Sequence, residues 1–334
     1  MHPLSPRRRR ITAWVSAAAL TLVAPIAAAL LPLQAQAQER ITLVAPFPPG
    51  GPVDLLSRLL ADGLQRRSGQ TVLVENLPGA AGNLGMDKVR KAKPDGKTLL
   101  VVPAGNLTIN PTLMPAFPFQ IERDFTLITL LAKAPNVLVA SPASQLRSVN
   151  DLLSQAQTRP GTLAYASPGV GSGLHLAGEL FKAQTHTDLL HVPYKGTGPA
   201  LTDVMGGVVP LSFANLPSAL PHIRTGKLVA LGLTDSARSP IAPDIPTLAE
   251  SGVQGVVVTS WYGLLAPANT PPAVVEAVYR DVQEILMQAT AKEQLLALGL
   301  TPVALKPSEF AQHLRQETST WAKVIRERRI SADQ

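Results

Sequence analysis

The feature that most constrains the fold is a repeated change from a short β-like run, through a loop rich in glycine and proline, to a helical pattern. Residues 41–45 form a β-like run that is apolar except for Thr42 and ends at the loop 46–51. A helical pattern with leucines on one face begins at Pro52. The same order recurs at 71–83 and 162–181. Strands that alternate with helices predict an α/β protein with mostly parallel sheets, because parallel strands need a crossover connection.

The length of the chain predicts two α/β domains of this kind. The chain has 334 residues, which exceeds the roughly 100–200 residues of one domain. We expect one lobe from residues 38–139 together with 260–334, and a second lobe from 140–259. β-like runs near 137–141 and 259–264 are the expected crossings between the lobes, and the C-terminal helices are expected to pack back on the first lobe.

The N-terminus has the pattern of a secretory signal peptide. Residues 7–10 are all arginine, residues 11–31 contain no ionisable side chain, and an Ala-x-Ala motif ends at Ala37. We predict cleavage after Ala37 and export to a bacterial periplasm, by either the general or the twin-arginine route. The alternative is an uncleaved anchoring helix, which about 20 apolar residues could form, although Pro25 and Pro32 interrupt the run.

The remaining charge excludes some partners. The chain has a formal charge of +7, but four of its 30 cationic residues lie in the leader, which has no acid; 26 cations against 23 acids leave +3 on residues 38–334. A small excess of this kind does not predict nucleic-acid binding. The absence of cysteine excludes disulfides, thiolate metal ligands, a catalytic cysteine and a lipid-modified cysteine.

The common catalytic templates are not met. The six histidines form no His-Glu-x-x-His zinc motif, and no serine lies in a Gly-x-Ser-x-Gly elbow. The Gly-Lys-Thr at 96–98 has Lys91 where a phosphate-binding loop needs its first glycine. The Gly-rich run 169–173 is followed by Leu174, where a dinucleotide-binding fingerprint needs glycine or alanine. We therefore predict no metal, no cofactor and no catalytic residue.

What remains is a set of Gly- and Pro-rich loops, each between the end of a strand and the start of a helix. Unpaired backbone N–H groups and the helix dipole favour an anion at such a loop. In open α/β sheets, ligands bind beyond the carboxyl ends of the strands. The loops with this placement are 46–54, 78–85, 103–110, 167–175 and 194–199.

Ten segments carry a resemblance to a known family and cover nearly the whole chain after the leader. They are PFPPGGPVD (46–54), VENLPGAAGN (74–83), PDGKT (94–98), YASPG (165–169), HLAGELF (175–181), HVPYKG (191–196), PALTD (199–203), NLPSA (215–219), PTLAESG (246–252) and WYGLLAP (261–267). With these segments the chain resembles the extracytoplasmic solute-binding receptors of tripartite tricarboxylate transporters, also called Bug-type receptors.

The resemblance implies a two-lobe, periplasmic-binding-protein-like fold whose lobes close by a hinge around a ligand in the cleft between them. It implies a small carboxylate ligand, namely a di- or tricarboxylate, an aromatic acid or an acidic amino acid. The implied partner is an inner-membrane permease, and we expect a monomer without enzymatic activity.

The resemblance also implies the residues that line the cleft. They are Phe47, Pro49, Gly50, Gly51, Asp54, Asn106, Ser167, Gly169, Ser172, His175, Tyr194, Lys195, Thr197 and Asn215. Lys195 is the only cation among these loop residues, which agrees with carboxylate contacts made mostly by backbone amides and water. Val53 stands where the family often has a hydroxyl residue, and Leu77 where arginine or lysine is common. A changed cleft of this kind could select a less polar acid.

Two other functions stay open at this stage. A receptor of the same fold could present its closed form to a membrane sensor kinase instead of a permease. A secreted α/β enzyme is the other alternative, but it needs a nucleophile and a base in proximity, and the sequence indicates no such pair.

Overall fold

The computed structural model describes residues 40–332. The predicted signal peptide, with its cleavage point after Ala37, lies outside the described residues. Within 40–332, no helix has the length and apolar character needed to cross a bilayer.

Strands and helices alternate along most of the described chain. The strands are β1 (Arg40–Ala45), β2 (Thr71–Asn76), β3 (Thr98–Pro103), β4 (Phe125–Ala134), β5 (Asn136–Ala140), β6 (Leu163–Ser167), β7 (Leu189–Pro193), β8 (Leu211–Asn215), β9 (Val229–Leu233), β10 (Ser260–Pro267) and β11 (Thr301–Pro302). The helices are α1 (Pro52–Ser68), α2 (Asn83–Arg90), α3 (Ala104–Thr108), α4 (Asn110–Leu113), α5 (Ile121–Asp124), α6 (Val149–Thr158), α7 (Gly173–Thr185), α8 (Thr197–Met205), α9 (Leu216–Arg224), α10 (Pro272–Met287), α11 (Ala289–Ala297) and α12 (Pro307–Arg328).

The strands form two sheets. The first has the order β11-β4-β10-β3-β1-β2, and the second has the order β7-β6-β8-β5-β9. Strand β1 is parallel to β2 and β3, and β6 is parallel to β7 and β8. Strand β10 is antiparallel to β3 and β4, and β5 is antiparallel to β8 and β9. Both sheets are therefore mixed, and the prediction of mostly parallel sheets is wrong for the strands next to the crossings.

The chain passes between the sheets twice, each time close to one of the two runs where a crossing was expected. The first crossing lies at Pro135, between β4 and β5, and the second lies between β9 and β10. Strand β5 pairs in the second sheet from Asn136 onward, so residues 136–139 do not belong with the first lobe as predicted. The other lobe boundaries stay predictions.

Several element boundaries differ from the sequence prediction. Within the C-terminal helical region, α10 and α11 are separate helices because the backbone at Gln288 between them is extended (φ −61°, ψ 140°). The loop expected at 103–110 holds the short helices α3 and α4. Strand β4 was not predicted, and β10 covers Ser260–Pro267 where a β-like run was expected near 259–264.

The long helix α12 connects the two cores. Near its start, Phe310 and Leu314 pack in the apolar cluster on one face of the first sheet. Further along, Trp321 and Ile325 pack in a cluster with the helices and strands of the second sheet. The middle of α12 therefore lies at the junction of the two halves.

A close contact in the second core gives a stability prediction. A Cβ at Gly178 would lie 2.3 Å from the ring of Tyr165, which is fully buried. We expect Gly178→Ala to lower the free energy of unfolding by about 1–3 kcal/mol through overpacking, measured by urea denaturation. Gly198→Ala is the control, since it is also helical and its Cβ would have no atom within 4 Å. Equal stability of the two variants would contradict this packing.

Candidate functional site: the cavity between the sheets

A cavity of about 390 Å³ lies between the two sheets. Its walls are the loops that follow β1, β2, β3, β6 and β7, together with the residues around the start of β10. This volume falls within the range of small-molecule sites. Among the described residues that line it, only Lys195 and Glu317 are charged.

Most of the predicted site residues are on the wall of this cavity. Those that line it are Phe47, Pro49, Gly51, Asn106, Gly169, Ser172, Tyr194, Lys195, Thr197 and Asn215. Gly50, Asp54, Ser167 and His175 do not line it. Contact of any of these residues with a ligand stays a prediction.

Four helices begin at the cavity. The residues that precede α1, α2, α7 and α8 are Gly51, Gly82, Ser172 and Gly196, and all four line the wall. The three glycines provide no side-chain cap, whereas the Ser172 hydroxyl caps α7. Uncapped helix N-termini direct backbone N–H groups and the positive end of the helix dipole at one place, which favours a bound anion.

Asp54 stabilises the loop after β1 on the side that faces away from the cavity. Its buried carboxylate accepts hydrogen bonds from the Gly50 backbone N–H and the Arg58 guanidinium, each at 3.0 Å, and from the Asn76 amide at 3.0 Å. Asn76 also donates to the carbonyl of Phe47 at 3.1 Å. Burial by itself raises the pKa of Asp54, but the hydrogen bonds from Arg58, Gly50 and Asn76 outweigh it and lower the pKa below its ordinary value. Asp54 therefore positions Gly50 and Phe47 and does not face the cavity.

Asn106 stabilises the loop after β2. Its buried amide donates to the carbonyl of Ala81 at 2.7 Å. A Cβ at Gly82 would lie 2.8 Å from the Asn106 amide nitrogen, and Gly82 has φ +93°. Only glycine suits this position, both for its backbone conformation and for the close approach.

In the loop after β6, the two serine hydroxyls bind the loop itself. Ser172 caps α7 by accepting from the His175 backbone N–H at 3.1 Å, and it donates to the carbonyl of Gly169 at 2.7 Å. Ser167 accepts from the Gly169 N–H at 3.2 Å and lies 2.6 Å from the Nε2 atom of His191. These contacts set the shape of the loop at the cavity.

His175 lies behind the wall and not on it. Its ring is fully buried, accepts from the Gly171 N–H at 3.3 Å and stacks on His191 with ring centroids 4.2 Å apart. Burial lowers the pKa of His175 to about 3, with a smaller contribution from His191. The ring is therefore neutral at physiological pH and provides no positive charge at the cavity.

The loop after β7 brings three predicted residues to the cavity. The Tyr194 hydroxyl donates to Asp203 at 2.7 Å, and burial together with this contact raises its pKa to about 12. Lys195 is exposed, and Thr197 is buried and donates to Asn215 at 3.2 Å. Lys195 is thus the one cation among the lining residues in 40–332.

A buried polar network lies where the chain crosses between the sheets. Asn215 donates to the Asn136 side-chain oxygen and to the Ser260 hydroxyl, each at 2.9 Å. Ser260 donates to the Asn136 oxygen at 2.8 Å, and Asn136 donates to the carbonyl of Val258 at 2.8 Å. Asn215 and Ser260 also line the cavity, so the crossing and the site share residues.

Several lining residues with polar or aromatic side chains were not predicted as site residues. Trp261, the first residue of the family segment 261–267, is both buried and on the wall. Asn110, Glu317 and Trp321 also line the cavity. Glu317 and Trp321 lie far from the Gly-rich loops in sequence, and their only signal is a four-residue spacing that places them on one helix face. Val53, the departure noted above, also lines the cavity, whereas Leu77 packs against the first core.

Nothing in the described range indicates a metal centre, since no group of three or more acidic or histidine side chains within 40–332 is arranged to hold an ion.

Comparison with known proteins gives one consistent family. The family described as "Tripartite tricarboxylate transporter family receptor" matches residues 56–330. The protein BugT of Bordetella pertussis is 37% identical over 307 residues, which is 92% of this chain and 93% of that protein.

Two ligand-bound structures are similar along most of the chain. R. palustris Rpa4515 with adipate is 34% identical with a TM-score of 0.85, over 87% of this chain and 98% of that one. MatC (Rpa3494) from Rhodopseudomonas palustris with bound malate is 33% identical with a TM-score of 0.81, over 86% of this chain and 99% of that one. These likenesses confirm the two-domain, periplasmic-binding-protein-like α/β fold with mixed sheets.

The contacts of Asp54 generate a pH-dependent prediction. In Asp54→Asn an amide N–H group would replace the carboxylate oxygen that accepts hydrogen bonds from Arg58 and Gly50. Because donors would then face one another, we expect the variant to be less stable than wild type at pH 7 by about 1–3 kcal/mol. Because the folded state lowers the pKa of Asp54, wild type has this advantage above the unfolded pKa of about 3.8 and loses it as the pH falls through the folded value. Urea denaturation at pH 7 and at acid pH measures both effects.

The control is Asp62→Asn, which changes an exposed acid on the same helix. A stability loss equal to that of the control, or a loss that does not change with pH, would contradict the role given to Asp54.

Proposed function

This chain belongs to the tripartite tricarboxylate transporter receptor family, and we propose that it captures a small carboxylate in the periplasm and delivers it to the membrane permease of such a transporter. The observation that carries this proposal is the convergence of four helix starts on one cavity. The predicted leader supports the periplasmic location, and the family description supports the transporter as the partner.

The helix starts explain how an almost neutral cavity can bind an anion. Each N-terminus contributes roughly half a positive charge and up to four backbone N–H groups without an intrahelical partner. Hydrogen bonds from backbone N–H groups to an ionised carboxylate are stronger than those between neutral groups. A carboxylate therefore needs no arginine here, and the exposed Lys195 adds attraction at the loop after β7.

Two ligands of related proteins support the ligand class. The similar structures contain adipate and malate, both small acids with two carboxylates. We infer a ligand of this size and charge for this chain, bound by the cavity-lining residues Phe47, Pro49, Gly51, Asn106, Gly169, Ser172, Tyr194, Lys195, Thr197 and Asn215.

Contacts between the two sides of the cavity support capture by closure. A Cβ at Gly105, beside the first sheet, would lie 2.4 Å from the carbonyl oxygen of Gly171, beside the second. A Cβ at Gly196 would lie 3.5 Å from the side chain of Pro48. The two sides thus meet at two places, and rotation about the two crossings would separate them and open the cavity.

The proposal predicts a rise in melting temperature with small carboxylates. A ligand that binds only the folded chain adds about 2.7 kcal/mol of stability at a hundredfold excess over its dissociation constant. We expect a shift with at least one member of a panel of dicarboxylates, tricarboxylates, aromatic acids and amino acids, measured on ligand-free protein of residues 38–334. The bound acid should be recovered unchanged from denatured protein, because a receptor does not convert its ligand.

A pair of variants at Gly51 locates the binding. Gly51 lines the cavity, has an ordinary backbone conformation and would have no atom within 4 Å of a Cβ. Gly51→Trp should fold normally and lose the melting shift, whereas Gly51→Ala should keep much of it. No shift with any acid, or an unchanged shift in Gly51→Trp, would contradict the proposed function.

A further inference from the structure

Another, smaller cavity lies behind the two crossings. It is a groove of about 220 Å³ between the two halves of the molecule. On the side of the first sheet it is lined by the end of β4, by residues around the end of α11 and by Thr301. On the side of the second sheet it is lined by residues between 235 and 241, which follow β9. We call this space the rear groove.

The crossings separate the rear groove from the cavity between the sheets. In the first sheet, the cavity is next to β10, β3, β1 and β2, whereas the groove is next to β4 and the edge strand β11. In the second sheet, the cavity is next to β7, β6 and β8, whereas the groove is next to the end of the edge strand β9. Thr259, at the second crossing, is the one residue within 40–332 that lines both spaces.

Asp235 joins the two crossings at this boundary. Its carboxylate accepts hydrogen bonds from the backbone N–H of Asn136, just after the first crossing, at 3.3 Å, and from the hydroxyl of Thr259. The Thr234 N–H donates to the carbonyl of Asn136 at 2.9 Å, and the Val258 N–H donates to the carbonyl of Thr234 at 2.8 Å. The crossings are therefore held as one unit, and a rotation of the two halves would take place about that unit.

The two walls of the rear groove already meet at Gly299. A Cβ at Gly299, just after α11, would lie 2.6 Å from the Cδ1 atom of Ile241 and 3.1 Å from the side chain of Pro217. Ile241 packs against the core on one face of the second sheet, and Pro217 lies in the first turn of α9. Because packed protein interiors have low compressibility, the walls cannot come closer at this contact.

Opening of the cavity would compress this contact. The crossings lie between the two spaces, so a rotation that separates the walls of the cavity moves the walls of the rear groove toward each other. The contacts of Gly105 with Gly171 and of Gly196 with Pro48 would then be lost at the cavity. At the rear, the Ile241 side chain would press against Gly299 and limit the rotation.

We propose that Ile241 is a steric stop behind the hinge, and that the rear groove determines how far and how readily the cavity opens. This inference rests on the closure motion of the proposed function, but not on which acid is bound. A ligand held by both sheets binds best to the closed arrangement, so its apparent affinity depends on the population of that arrangement. Ile241 therefore affects the affinity although it does not line the cavity.

Two substitutions in the groove should shift this equilibrium in opposite directions. Ala237 is exposed, lines the groove and has an ordinary backbone conformation. The ring introduced by Ala237→Trp would occupy the space into which the walls must move, so this variant favours the closed arrangement. Ile241→Ala removes the stop and so favours wider opening.

Each variant has a matched control. Ala273→Trp makes the same change at an exposed position of α10 that lines neither space. Ile223→Ala removes the same atoms from a half-buried residue that packs on the same core as Ile241 and lines neither space. Both controls should behave as wild type.

The first measurement needs no ligand. Small-angle X-ray scattering on ligand-free chains of residues 38–334 gives the radius of gyration, which is larger for an open arrangement. We expect a larger radius for Ile241→Ala than for Ala237→Trp, with wild type between them or equal to one of them. Equal radii in the two variants, or the reverse order, would overturn the inference.

The second measurement is the affinity for adipate and for malate, determined by calorimetry. For an acid that binds wild type, Ala237→Trp should bind at least about fivefold more tightly than Ile241→Ala, which is the lower end of typical coupling between two sites. A folding defect would not make Ala237→Trp bind more tightly than wild type. Equal affinities in the two variants would overturn the role of the groove.

The outcomes separate this inference from the proposed function. If the radii differ as expected but neither acid binds any of the chains, the ligand proposed for the cavity is wrong and the stop behind the hinge stands. If an acid binds all chains equally and the radii are equal, the carboxylate receptor stands and the stop is wrong.

Discussion

The hydrogen-bond network of Asn136, Asn215 and Ser260 is the interaction on which the cavity depends. It joins the start of β5 and the start of β10, which follow the two crossings between the sheets, to the end of β8. Buried amides and hydroxyls that satisfy one another specify a single arrangement, whereas a partly satisfied set would be costly. Because Asn215 and Ser260 also line the cavity, a ligand would contact the same groups that set the position of the two sheets.

The cavity combines strong donors with few charges. Helix starts at Gly51, Gly82, Ser172 and Gly196 surround it, so its affinity for anions comes from backbone geometry. Polar side chains near these loops mostly bind the loops themselves, as Asp54 does for Gly50. Such a site is organised before the ligand arrives, which lowers the ordering cost of binding.

The sequence predicted those parts of the site that depend on local chemistry. Glycine and proline between a strand and a helix identify a loop without knowledge of the fold, so Gly51, Gly169 and Thr197 were predicted and line the cavity. Glu317 could not be found in this way, because on an amphipathic helix it has the pattern of a solvent-facing residue. Only the tertiary packing of α12 across both cores brings it to the wall.

Two differences from the sequence prediction depend on tertiary packing. His175 lies in a segment shared with the family, yet its ring is buried behind the cavity wall and stacks on His191. The sheets are mixed because a chain that crosses between two sheets returns antiparallel to its neighbours, as β10 does. Neither the direction of a side chain behind a loop nor the direction of a strand is encoded in local periodicity.

The most direct test of the central claim is a crystal structure of residues 38–334 with the carboxylate that raises the melting temperature most. The account predicts that the ligand lies between the sheets, with its carboxylate oxygens accepting hydrogen bonds from backbone N–H groups at helix starts of both sheets. A carboxylate bound outside this cavity, or held by the loops of one sheet alone, would contradict it.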